Sequence, residues 1–350
     1  MNYPAYSPPL ALRNGLAMTL YVASKARQTW QKTINLPEPI YQSQIFQGAG
    51  GVPIYGQVAI PANPRGTIVA TYGITGSLDD QWLLSVLGCK AFAQGYALVF
   101  FDWRAHGKTA ELSPALTSDG IYEGEDFVRI AAQAKAIGCP APFWFTSYSL
   151  GGQLALWGIK SAQTLPTWGK DVSLDAAEVA GAAVICPVLE SNRSLTYLTQ
   201  STVGRQLEQA IARELKRLLR QIDTYHPGVF EPAAIERVHS IWSFDHEMVI
   251  QTLGFPSVEA YYTATSGLYQ LPDLQKPTLI LYAADDPMFD PALVDELESV
   301  CAENPAIELL LTPHGGHVGY VNSPTGQRQA QDPDPWWAWN RVLEWIERRS

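Results

Sequence analysis

Ser149 sits at the centre of Ser147-Tyr148-Ser149-Leu150-Gly151-Gly152, directly after the apolar run 143–146. A serine hydroxyl is a weak nucleophile until a base takes its proton and a carboxylate orients that base. The spacing reads as a strand that passes straight into a helix, with one residue at the apex in a strained backbone conformation. Small residues two before and two after the apex keep strand and helix from colliding, which is the content of a G-x-S-x-G elbow. Ser147 stands here in place of the first glycine. Gly151 and Gly152 set the register around Ser149, so Ser149 rather than Ser147 is the candidate nucleophile.

The base and its orienting acid follow in chain order. The apolar run 278–283 leads into Asp285, Asp286 and Asp290, and the run 307–312 leads into His314 and His317. Loops at the carboxyl ends of strands are where open α/β sheets gather their active sites. His317 is preferred as base because Gly315 and Gly316 precede it and let the loop carry the imidazole over the sheet. His314, at the strand's end, reads as structural. Asp286 is preferred as acid, with Pro287 fixing the turn behind it. A metal pair at His314 and His317 lacks a third ligand nearby, so neither metal nor organic cofactor is expected. His106, His226, His239 and His246 have no comparable context and read as surface or hydrogen-bonded histidines. Oxyanion stabilisation needs backbone donors at the reacting carbonyl. The N–H of Leu150 and that of Ile74, in the Gly-containing loop 72–77, are the candidates.

These residues need a frame. Strands are expected at 54–60, 67–72, 97–102, 143–147, 182–188, 278–283 and 307–312, and helices at about 78–94, 122–137, 150–162, 291–303 and 335–348. Strands that are almost continuously apolar and alternate with helices indicate a mostly parallel sheet covered on both faces. Asp334 is the expected cap of the last helix, whose tryptophans at 336, 337, 339 and 345 read as core packing. Between 189 and 275 the rhythm breaks. The centre of that interval is an amphipathic helix with Leu207, Ile211, Leu215, Leu218 and Ile222 on one side and Arg205, Arg213, Lys216, Arg217 and Arg220 on the others. It reads as a lid over the sheet, with membrane contact at most transient.

The 350 residues are 47% apolar and 17% charged, enough for a sizeable core. A formal charge of −10 argues against nucleic acid, whose phosphates need a basic surface. Cys89, Cys139, Cys186 and Cys301 form no CxxC pair and read as buried free thiols in a reducing compartment. The first residues lack the basic start and cleavage site of a secretory signal, and the apolar piece 16–23 is far short of the ~20 residues of a membrane span. A cytoplasmic location is expected.

In these motifs the sequence resembles the YheT-like branch of the α/β-hydrolase superfamily, related to plant embryogenesis-associated and animal ABHD-type hydrolases. The resemblance runs through "RNGLAMT" (13–19), "YGITGS" (72–77), "FFDWRAHGKT" (100–109), "YEGEDF" (122–127), "SYSLGG" (147–152), "SFDHEMVIQTLGFPSVEAYY" (243–262), "KPTLILYAADDPM" (276–288) and "HGGHVGY" (314–320). It implies Ser149, Asp286 and His317 as nucleophile, acid and base, and an acyl ester as substrate. The chain departs from the family pattern at Tyr72, where His is usual, and at Ser147, where Gly is usual. The resulting expectation is an α/β-hydrolase core of 1–188 and 276–350, with 1–40 as an N-terminal extension packed on it and 189–275 as a helical lid. Tyr72, Trp103 and Tyr148 are expected to line the pocket entrance. The expected function is serine carboxylic-ester hydrolysis through an acyl-enzyme. Acyl transfer to an alcohol by the same triad, and a non-catalytic binding role for the fold, are the alternatives.

Overall fold

The computed structural model describes residues 3–350. Eight strands form one sheet: β1 (Gln42–Gln47), β2 (Pro53–Ala59), β3 (Thr67–Ala70), β4 (Ala97–Phe101), β5 (Phe143–Tyr148), β6 (Val179–Ile185), β7 (Thr278–Ala283) and β8 (Ile307–Thr312). Their order is β1-β2-β4-β3-β5-β6-β7-β8. β1 and β2, and β2 and β4, pair antiparallel, while every pair from β4 to β8 is parallel. The parallel strands β3, β4, β5 and β7 are buried along their whole length, which is why they read as unbroken apolar runs.

β1 escaped the sequence reading. Its residues "QSQIFQ" carry few apolar side chains, and only Phe46 is buried. As an antiparallel edge strand it needs one apolar face at most. β6 starts and ends three residues earlier than expected, so that Cys186-Pro187-Val188 belongs to the loop beyond it.

The sheet's topology fixes where a site can form. β3 lies between β4 and β5, so the chain leaves β3 toward one side and later returns as β5 on the other. At such a switch point the loops beyond the carboxyl ends diverge and leave a crevice. With Ala70 opposite Thr146, the loop after β3 and the elbow after β5 face each other across that crevice.

Helix Leu150–Gln163 packs on β5 and β6 and against helix Ile121–Ala136; helix Trp337–Glu347 packs on β6 and β7 and against helix Trp82–Ala93. The tryptophans at 336, 337, 339 and 345 are buried, with Trp345 edge-on to Trp144 of β5 at 5.5 Å. Asp334 does not serve as the expected N-cap. Trp336 occupies that position, and Asp334 instead accepts the Trp336 N–H at 3.0 Å and forms a buried ion pair with Lys90.

Between β6 and β7 lies a helical insertion, dominated by helix Thr202–Tyr225 and carrying its own apolar cluster around Leu215, Leu219, Ile222, Phe244 and Tyr261. Leu215, Leu218 and Ile222 are buried on one side of the long helix, while Leu207 and Ile211 are half-buried. Its basic side is largely paired: Lys216 and Arg220 with Glu236, at 3.0 and 2.7 Å, and Arg217 with Glu214, at 2.9 Å. No helix among the described residues is long and apolar enough to cross a membrane.

Candidate active site

Ser149 follows β5 with φ 55° and ψ −134°, a conformation that costs a non-glycine residue of order 1–3 kcal/mol. The surroundings enforce it. A Cβ on Gly151 would lie 2.2 Å from Ser147 Oγ and 2.3 Å from the Tyr72 carbonyl oxygen, so the residue two beyond the apex must be glycine. Ser147 contributes more than small size. Its hydroxyl donates to the Thr71 carbonyl at 2.6 Å and ties β5 to the end of β3. That bond accounts for a serine where a glycine would satisfy the steric requirement.

The three side chains singled out in the sequence meet. His317 Nε2 lies 2.8 Å from Ser149 Oγ, and His317 Nδ1 lies 2.9 Å from Asp286 Oδ2. Asp286, almost wholly buried, has its other oxygen fixed by the Met288 N–H at 2.9 Å. A carboxylate can only accept, so Nδ1 carries the imidazole proton and Nε2 is left to accept from the serine hydroxyl. The rings of His317 and Phe289 stand nearly perpendicular, with centroids 5.3 Å apart.

The loop bearing His317 is held from the N-terminal side of the chain. Thr19, on helix Gly15–Tyr21, accepts the His317 N–H at 2.8 Å through its hydroxyl oxygen. Gly316 takes φ 58°, and Val318 and Tyr320 are also left-handed, at 57° and 45°. Asp285 shapes the same loop: one of its oxygens accepts the Gly316 N–H at 2.9 Å and the other approaches His314 Nδ1 at 3.3 Å. His314 and Asp285 thus form a second pair beside the first and do not reach Ser149.

The loop after β3 carries Ile74. No acceptor among the described residues is paired with its N–H or with that of Leu150, which opens helix Leu150–Gln163 and has no partner inside it. Close approach of this loop depends on Gly73, where a Cβ would stand 3.0 Å from Ser149 Cβ.

Two residues that the sequence reading left without a role hold that loop. Asp102, just after β4, accepts the Tyr72 hydroxyl at 2.6 Å and the Leu78 N–H at 2.8 Å on one oxygen, and the Lys108 N–H at 2.9 Å on the other. Burial pushes its carboxyl up to about 6, against the pull of those donors. His106 is buried and stacked on Trp103 at 3.6 Å. Its Nδ1 donates to the Arg104 carbonyl at 2.9 Å and its Nε2 accepts the Thr75 N–H at 3.1 Å. Burial without a counter-charge lowers it to about 4, so it is neutral at pH 7 and the Thr75 contact is intact. Their signal in the sequence was their place, in "DWRAHG" immediately beyond a buried strand.

Two cavities meet at Ser149 and His317. The inner one, about 100 Å³, is walled by apolar side chains including Leu195, Leu215, Phe244 and Phe289. The outer one is an open cleft past Gly73, Gln81 and Met288 to Arg217. Trp103 lines the inner cavity, and Tyr148 lines the outer one, its hydroxyl donating to Gln81 at 2.7 Å. Tyr72 lines neither. Its side chain is wholly buried beneath the loop, engaged with Asp102, so its expected place at the pocket entrance is corrected. Among the described residues no group of histidine, cysteine, aspartate and glutamate could hold a metal ion, and all four cysteines are free and buried.

A sequence profile described as the alpha/beta hydrolase family matches residues 76–329. The chain belongs to that family. A Synechocystis sp. protein, provisionally named an esterase, is 52% identical over 353 residues, covering 99% of this chain and 96% of its own. YheT of Escherichia coli, named in the same provisional way, is 27% identical and covers 81% of this chain and 77% of its own. Among solved structures, the Pyrococcus furiosus esterase Pf2001 superposes with a TM-score of 0.55 at 15% identity, covering 90% of this chain and 99% of its own, a likeness of fold.

Proposed function

We propose that the protein is a serine hydrolase of carboxylic esters. The observation that carries this reading is the continuous contact from Asp286 through His317 to Ser149, at 2.9 and 2.8 Å, on a strained elbow. Two relatives named as esterases, however provisionally, support the reaction class.

In this reading His317 Nε2 takes the proton as Ser149 Oγ attacks the ester carbonyl, and Asp286 stabilises the imidazolium that results. The Ile74 and Leu150 N–H groups stabilise the oxyanion, a contribution of about 10²–10³ in kcat per donor in comparable sites. Collapse of the tetrahedral intermediate breaks the bond to the alcohol, which leaves with the proton from His317. Water, deprotonated by His317, then attacks the acyl-enzyme; its collapse releases the acid, and the proton returns to Ser149. The inner cavity takes the acyl chain, the open cleft takes the alcohol, and the insertion 189–275 serves as the lid that closes the acyl side from water.

The test is turnover of p-nitrophenyl esters of graded chain length by wild type and by Ser149→Ala and Ser147→Gly. Loss of turnover in the first and survival in the second supports the assignment. Full activity in Ser149→Ala overturns it.

A further inference from the structure

The inner cavity is not apolar throughout. Beside its aliphatic and aromatic walls it is lined by Asp119, Asp245, Thr117 and Tyr262. Asp119 comes from the core, in the loop before helix Ile121–Ala136, and Asp245 from the insertion, just after helix Ile241–Phe244. They are 7% and 4% exposed, so two carboxyl groups have been taken out of water inside a chamber that otherwise suits a hydrocarbon chain. Such burial is costly unless the groups are partnered.

The partners are incomplete. Asp119 accepts the Thr117 hydroxyl on Oδ1 at 3.1 Å, and Asp245 accepts the Tyr262 hydroxyl on Oδ2. The Tyr261 hydroxyl also donates toward Asp119, its pull working against the effect of burial, while among the described residues no hydrogen bond reaches the second oxygen of Asp245. Gln153 donates to the Asp119 carbonyl at 2.8 Å and leaves its own side-chain oxygen unpaired. Gln153 lies one turn along the helix from Ser149, so the residue that ties down the Asp119 backbone stands on the order of 5 Å of helix rise from the nucleophile.

We propose that Asp119 and Asp245 form a specificity site within this chamber that selects acyl groups carrying a hydroxyl remote from the ester. The proposal rests on the esterase reading. A hydroxyl both donates and accepts, matching protonated carboxyl groups, each of which offers an O–H and a carbonyl oxygen. An ammonium group fits less well. Burial first, and then the charge of Glu123 on Asp119 and of Asp119 on Asp245, favours the protonated forms of both carboxyls, which leaves little negative charge for a cation. A site built to hydrogen-bond a substrate hydroxyl discriminates strongly against the analogue without it, because its own groups are then left unpaired.

The experiment compares kcat/KM for p-nitrophenyl hexanoate, octanoate and decanoate with their ω-hydroxy and ω-amino counterparts, in wild type, Asp119→Leu, Asp119→Asn and Asp245→Leu. Fluorophosphonate labelling of each variant identifies those with a folded, competent triad. The expected result is a hydroxyl preference at one chain length, reduced about tenfold by Asp119→Leu and largely kept by Asp119→Asn. If Asp119→Leu does not label, Asp245→Leu carries the test, with a reduced preference expected. Hydrolysis with no hydroxyl preference at any length, a preference for the amine, or an unchanged preference in a labelled leucine variant overturns the proposal while leaving the esterase reading intact. Absence of labelling and of hydrolysis in wild type would instead refute the esterase reading.

Discussion

Replacing Asp286 with asparagine is isosteric, so its effect isolates the proton on His317. Asp286 Oδ1 accepts the Met288 N–H at 2.9 Å, and that bond decides which way an amide would turn. In Asp286→Asn the new side chain would keep its oxygen toward Met288 and present its NH₂ to His317 Nδ1, across the present 2.9 Å contact. Nδ1 would then have to accept, the imidazole proton would move to Nε2, and Nε2 could no longer take the serine proton. Loss of the correct tautomer in a serine triad costs about 10⁴ in kcat, or about 5.5 kcal/mol of barrier. Asp285→Asn provides the contrast. It loosens contacts to Gly316 and His314 but leaves the contact to Ser149 untouched, so a loss of about tenfold or less is expected. Stopped-flow release of p-nitrophenolate, with thermal melts to verify folding, measures both. Comparable losses in the two variants, or an Asp286→Asn enzyme within about tenfold of wild type, would refute the reasoning.

Gly151→Ala is expected to destabilise by about 3 kcal/mol, because the new Cβ meets the Tyr72 backbone carbonyl at 2.3 Å, and Ser147→Gly in the same chain should recover only part of the loss; denaturant midpoints decide this. His106 is held neutral, with its value lowered to about 4 in the folded state against an ordinary 6.5. The unfolded chain therefore binds the extra proton first as pH falls, and about 3 kcal/mol of stability should be lost between pH 6.5 and 4 and level off below. Melts of wild type and His106→Gln across that range should converge toward low pH, and parallel curves would contradict the assignment. Thr19→Val removes the acceptor for the His317 N–H and is expected to lower kcat by about tenfold with little change in KM. An unchanged kcat would show that the N-terminal helix does not position the base.

Much of this was readable from residue order because the chemistry sits at the ends of buried strands. β7 and β8 coincide with the apolar runs that announced them, and the acid and base follow each within a few residues. Other features were hidden for physical reasons. β1 is an edge strand whose polar residues face solvent, so no apolar periodicity marks it. Asp102 and His106 act through the loop after β3, a contact between segments about 30 residues apart that local pattern does not reveal. Tyr72 was misplaced because an aromatic residue beside a glycine loop suits a pocket wall as well as a buried brace. Only its bond to Asp102 separates the two. The carboxyl pair of Asp119 and Asp245 joins core and insertion, and nothing in either stretch alone announces the other.

The most direct measurement is the site of covalent capture. After incubation with a fluorophosphonate, intact-mass analysis and peptide mapping should find one adduct, on the peptide containing Ser149, formed more slowly when His317 is replaced by alanine. Sustained ester hydrolysis with the adduct on another residue, or with none at all, would contradict the account.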